Sequence, residues 1–319
     1  MAFAGRRTGL LATLIAVAFA GSLAWASPSS AAVVDVQLNA RVATVKVAPG
    51  VKMRAWTFNG TVPGPVIRAT EGDTVRVTLK NSHKSKHKMC HGKKGKKLTR
   101  CREFNLKHQA MMHSIDFHAA RIAPNVAFRN VAPGQSITFE FEARTPGVYM
   151  YHCGTGPMLE HLGMGMYGMI VVDPAIPRPP AQEIFLVQSE YYGKVKNGFL
   201  HSSYEAMQKN SPTYVVFNGR SHRYATNPIK VGVGQPLRVY FVDAGPSLFS
   251  AFHVVGTIFD SFEHDGNPDG ALHNVSTQVI APGGAGVFEL TLPQPGSYPF
   301  VSHSIIDMDR GAMGMFEAS

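Results

Sequence analysis

Tyr149-Met-Tyr-His-Cys153-Gly-Thr-Gly-Pro-Met-Leu-Glu-His161-Leu-Gly-Met-Gly-Met166 is the stretch on which the reading of this chain turns. It follows a Pro146-Gly147 turn, and before that Ser136-Ile-Thr-Phe-Glu-Phe-Glu142 alternates polar with apolar residues. Period-two alternation marks a half-buried strand, and proline with glycine marks its end. Two strands therefore lead into a loop carrying a cysteine, a histidine eight residues on and a methionine five after that. One thiolate, two imidazoles and a weak axial thioether are the donor set of a blue-copper electron-transfer site. His113, before the preceding strand, is the candidate for the second imidazole. Met158, Met164, Met166 and Met169 are all near, and the spacing favours Met166.

Working outward, residues 33–47 and Asp73-Thr-Val-Arg-Val-Thr-Leu79 also read as strands, with proline and glycine between the runs. Short strands with regular turn signals predict an all-β chain of sandwich type. Only residues 202–210 read as a helix. The order Ala-Pro-Gly, alternating strand, Pro-Gly-x-Tyr, His occurs twice, ending at His152 and again at His303. This repeat, with the proline-rich stretch 174–182 between its copies, predicts two tandem Greek-key sandwiches at 33–173 and 183–319. The second copy has no cysteine.

Neighbouring residues on a strand point to opposite faces. If Cys153 faces a metal inside the first sandwich, His152 faces away from it. The same holds for the segment His113-Ser-Ile-Asp-Phe-His118. His113 with Cys153 would hold one metal, and His118 with His152 a second, imidazole-only site with a position open to a small substrate.

The chain has 319 residues, 31 Lys plus Arg against 21 Asp plus Glu, and a formal net charge of +10. Ten of the basic residues, and no acidic one, fall between Lys80 and Arg102, so the remainder is balanced at 21 against 21. That distribution argues against a nucleic-acid-binding surface and isolates one basic insertion at about residues 82–104. Arg6-Arg7, an apolar run from Leu10 to about Trp25 and small residues up to Ala32 form a cleavable export signal over residues 1–32. No later stretch is long and apolar enough to span a membrane, so the mature chain is expected to be exported, either to the periplasm or to the extracellular space or cell envelope. Disulfides are permitted there, and a Cys90–Cys101 bridge is expected.

These motifs resemble those of the copper-containing nitrite reductases, two-domain cupredoxin enzymes of the multicopper oxidase superfamily. The resemblance rests on Ala55-Trp-Thr-Phe-Asn-Gly-Thr-Val-Pro-Gly-Pro-Val-Ile-Arg68, Glu71-Gly-Asp-Thr-Val75, His113-Ser-Ile-Asp-Phe-His-Ala119, Tyr151-His-Cys-Gly-Thr-Gly-Pro157, Phe252-His-Val-Val-Gly-Thr-Ile-Phe-Asp260 and Val301-Ser-His303. It implies cupredoxin folds and two coppers per chain. His113, Cys153, His161 and Met166 would hold type 1 copper; His118, His152 and a neighbouring subunit's copy of His303 would hold type 2 copper, in a homotrimer. It also implies Asp116 and His253 as catalytic residues, Val255 over the substrate, nitrite as that substrate, and a cupredoxin or c-type cytochrome as electron donor.

Two other functions compete. A two-domain laccase-like multicopper oxidase needs His-x-His pairs, and no two histidines here are two apart. A type 1 electron carrier without catalysis would have no use for His118, His152 and His303. The basic insertion reads as a solvated loop, as a docking surface for an acidic donor or an anionic polymer, or as copper capture by His83, His87, Cys90 and His91.

Overall fold

The computed structural model describes residues 31–83, 94–97, 99 and 111–319, together with Met1. The expected leader (but for its two ends), the Cys90–Cys101 bridge and most of the basic insertion lie outside the described residues. Residues Ala31–Ser319 form one compact unit.

The described residues of this unit form four sheets. The first runs Gly193–Lys196, Phe199–Ser202, Val51–Phe58, Val33–Ala48, Thr74–Asn81, Ser136–Glu142. The second runs Ile67–Thr70, Tyr167–Asp173, Gly147–His152, Asp116–Phe117. These two sheets close on a core that includes Leu38, Val77, Phe139, Phe117, Tyr151 and Ile170. In the second half, a sheet containing Gln182–Tyr191, Pro236–Asp243 and Ala285–Thr291 faces one containing Met313–Ala318, Gly296–Ser302 and Ser250–Val254. Their core is rich in phenylalanine, with Phe241, Phe252, Phe288 and Phe300 at its centre. The expectation of all-β cupredoxin-like sandwiches is met. Each sheet also pairs strands that are not consecutive in the chain, such as Val33–Ala48 with Thr74–Asn81 and Ile67–Thr70 with Tyr167–Asp173, as Greek-key crossovers require.

A third core joins the sandwiches. Val148, Met150, Tyr167, Met169 and Val171 from the second sheet pack on Val187, Tyr240, Val242 and Val287. The strand Gly147–His152 is therefore covered on both faces. Tyr151 and Cys153 belong to the first core, while Val148 and Met150 belong to the third. This period-two division sets the direction of every donor that follows.

The coil between Asp173 and Gln182 is tied down by charge. Arg68 bridges Asp173 and Glu183, both at 2.5 Å. Arg178 grips Glu263 with two nitrogens, at 3.1 and 2.5 Å, and also donates to the Gly266 carbonyl. The expected helix at 202–210 is Tyr204–Gln208, where the Ser203 hydroxyl accepts from the Ala206 amide at 3.2 Å. The sequence did not predict the helix Met158–Gly163 inside the Cys153–Met166 loop. At six residues it is too short to show a helical period.

Candidate metal centres

Cys153 follows the strand Gly147–His152 and is fully buried in the first core. Its amide donates to the Met166 carbonyl at 3.0 Å, and the Met166 amide donates to the His161 carbonyl at 3.1 Å. Cys153, His161 and Met166 are thus laced by main-chain bonds, and Met166 is itself fully buried in the same core. His113 is held by a reciprocal main-chain pair with Val131, at 3.2 and 2.7 Å. Cys153 Sγ lies 3.2 Å from His161 Nδ1 and 3.8 Å from His113 Nδ1. These three residues form one cluster whose donor atoms are all within 4.8 Å of one another.

Burial governs the electrostatics of this cluster. It lowers the His113 imidazole to about 3, helped by the neighbouring His161 and His83 rings, and lowers His161 to about 4. Both rings are held neutral, the form that binds metal. Burial raises the Cys153 thiol, against hydrogen bonds from Ser114 and Thr155 that favour the thiolate. A buried thiolate needs a cation, and one sulfur facing two neutral ring nitrogens suits copper.

The second cluster is Asp116, His118 and His152, again within 4.8 Å. Asp116 and His152 are partners across antiparallel strands, with Asp116 Oδ2 3.9 Å from His152 Nε2. His152 Nδ1 lies 3.1 Å from the Cys153 carbonyl, and His118 Nδ1 lies 3.1 Å from the Gly283 carbonyl. A carbonyl only accepts, so each Nδ1 carries the proton and each Nε2 keeps its lone pair. Those two Nε2 atoms face each other at 3.1 Å. Two lone pairs converging beside a carboxylate fit a cation between them.

His303 is not in that cluster. It is exposed, at the end of the strand Gly296–Ser302, with its ring centroid 5.4 Å from that of His253. His253 Nδ1 lies 2.5 Å from the Ser276 carbonyl and 3.3 Å from Thr277 Oγ1, which engages Nδ1 and not Nε2. Val255 begins the turn after the strand Ser250–Val254 that carries His253 and is 44% exposed. The structure thus gathers the expected residues into a buried thiolate cluster, a carboxylate–imidazole cluster and a separate surface pair.

A family model for multicopper oxidase matches residues 27–175. The copper-containing nitrite reductase of Neisseria meningitidis serogroup A is 36% identical over 293 residues, covering 89% of this chain and 69% of the relative. The chain belongs to the copper-containing nitrite reductases. Among solved structures, the copper nitrite reductase of Nitrosomonas europaea superposes with a TM-score of 0.76 at 34% identity, over 90% of this chain and 94% of that one. The Cu-containing nitrite reductase of Thermus scotoductus SA-01 gives 0.77 at 32%, over 91% of this chain and 62% of that one.

Against this nitrite reductase fold, two contacts stand out that the sequence reading did not foresee. Trp56 sets its ring edge-on to His161 and His113, with centroids 4.9 and 6.1 Å apart. His83, placed by sequence in the basic insertion, has its ring against His113 instead. His87, Cys90 and His91, the other members of that expected copper-capture group, lie outside the described residues. The only sequence signal for Trp56 was its place in the family motif.

Proposed function

We propose that this chain is an exported enzyme that reduces nitrite to nitric oxide. Nitrite takes up one electron and two protons and leaves as nitric oxide and water. The observation that carries the reading is the division of two consecutive residues, Cys153 and His152, between the two donor clusters. His113, Cys153, His161 and Met166 would hold type 1 copper. His118 and His152 would hold type 2 copper with His303 of a neighbouring subunit. Copper supplies one-electron redox chemistry at the first site and, at the second, a Lewis-acidic position for the anion.

The chain's own residues do the rest. The peptide linking His152 to Cys153 is a short covalent route between the sites. Asp116 stands beside His152 and hands a proton to the departing oxygen. His253, fixed through Nδ1 by Ser276, offers Nε2 for the second proton. Val255 limits the pocket above the anion.

His253, His303 and Val255 form one half of the site, and Asp116, His118 and His152 the other. Exposed Val255, Ile258, Val279, Ile305 and Ile306 accompany the second half, which supports its burial against another copy in a homotrimer. The domains are 33–173 and 183–319. The donor is a cupredoxin or a c-type cytochrome, and the chain works in the periplasm or cell envelope. Among the described residues no helix is long and apolar enough to cross a membrane.

Anaerobic nitric oxide formation from nitrite by the copper-loaded chain tests this function. No nitric oxide from a sample with both sites filled refutes it. Two coppers per chain favour it over a carrier with one, and oxygen uptake on phenols would favour the oxidase instead.

A further inference from the structure

His113 presents its two ring nitrogens to different partners. Nδ1 faces Cys153 Sγ at 3.8 Å, while Nε2 lies 3.1 Å from Nδ1 of His83. The two rings are inclined by 20° with centroids 5.3 Å apart. Trp56 closes the group, with its ring edge-on to His83 at 5.8 Å as well as to His113 and His161.

His83 is held in place independently of this contact. Its amide donates to Asn81 Oδ1 at 2.9 Å. Asn81 Nδ2 in turn donates to the carbonyls of Met111 and Val131, both at 2.8 Å. Val131 is the main-chain partner of His113. One asparagine therefore fixes His83 to the frame that fixes His113.

The chemistry follows from ring valence. A cation on Nδ1 leaves the proton of a neutral imidazole on Nε2, and His113 is fully buried. That N–H needs an acceptor, and the structure supplies His83 Nδ1. An acceptor on the far nitrogen fixes the ring's orientation and raises its basicity as a ligand. A more basic ligand favours the higher oxidation state of a bound metal.

We infer that His83 is a positioning residue of the thiolate site, accepting the His113 Nε2 proton through its own Nδ1 and so setting the site's copper affinity and reduction potential. This rests on the reading of Cys153, His113 and His161 as copper ligands.

The test compares the full copper-loaded chain with His83→Phe, His83→Leu and His83→Gln. Phenylalanine keeps a ring against Trp56 without an acceptor, leucine removes both, and glutamine keeps an acceptor. The readouts are visible absorption of the thiolate site, its reduction potential by redox titration, and copper retention against a chelator. His83→Phe and His83→Leu should raise the potential and weaken Cu(II) retention about 10- to 100-fold, with His83→Gln restoring both in part. Unchanged potential and retention in whichever of the two apolar variants folds overturns the inference. Absence of visible absorption from the unsubstituted copper-loaded chain overturns the underlying ligand assignment as well, so the two failures are distinguishable.

Discussion

His152 and Cys153 are joined by one peptide bond and serve different clusters. Cys153 Sγ lies 3.2 Å from His161 Nδ1, and His152 Nε2 lies 3.1 Å from His118 Nε2. The strand geometry enforces this split, because Tyr151 and Cys153 enter the first core while Met150 faces the second sandwich.

A first prediction separates the clusters. His118→Ala removes a donor from the imidazole site and touches nothing around Cys153. Visible absorption of the copper-loaded variant should persist while nitrite reduction falls to background. Loss of the absorption would contradict the division of ligands.

A second prediction concerns two glycines at matching places in the repeat. Gly147 and Gly296 have φ of +153° and +149°. A Cβ on Gly147 would sit 2.0 Å from the Asp265 carbonyl oxygen, whereas one on Gly296 meets nothing within 4 Å. Gly296→Ala should cost only backbone strain, about 1–2 kcal/mol. Gly147→Ala should cost about 4 kcal/mol or more, because main chain must move where the sandwiches meet. Chemical denaturation of both variants checks the ranking, and equal losses would contradict it.

A third prediction is a pH dependence of stability. Glu190 is buried behind the strand that leads to His253, and burial pushes its carboxyl from 4.5 to about 7 despite hydrogen bonds from Tyr192, Leu248 and Ser247. Asp243 is raised too, by burial and by Glu190. The folded state holds these protons more tightly than the unfolded chain. For Glu190 the stability this confers is complete below about pH 4.5 and is lost as pH rises towards 7. For Glu190 the slope inside that window is at most about 1.4 kcal/mol per pH unit. The thermal midpoint of the metal-free chain, followed from pH 4.5 to 8, should show this decline. Glu190→Gln should flatten it, and an unchanged profile would remove Glu190 as its cause.

A fourth prediction uses the basic segment. Ten cationic residues between Lys80 and Arg102 favour an acidic protein donor. Its rate of electron delivery should fall steeply with ionic strength, while a small neutral reductant should show little change. Equal salt dependence for both would reduce the segment to a solvated loop.

Much of the first sandwich was legible in the sequence because its strands alternate. Ser136–Glu142 was read with the boundaries observed, and the opposed directions of His152 and Cys153 followed from the same period. The contacts that escaped are those between distant segments. Phe199–Ser202, from the second half, pairs with Val51–Phe58 through Phe199 opposite Lys52. His83 meets His113 across thirty residues. Neither pairing leaves a local pattern, since each depends on how the sheets close. The separation of His303 from His118 and His152 was anticipated only through the family resemblance.

The most direct test of the account is a single turnover. The copper-loaded chain is reduced anaerobically until its visible absorption is bleached, freed of reductant and mixed with nitrite, while absorption and nitric oxide are followed together. Two connected sites predict that the absorption returns in step with nitric oxide, and that His118→Ala, bleached in the same way, stays bleached. Nitric oxide without return of the absorption, or return in His118→Ala, would contradict the path through Cys153 and His152.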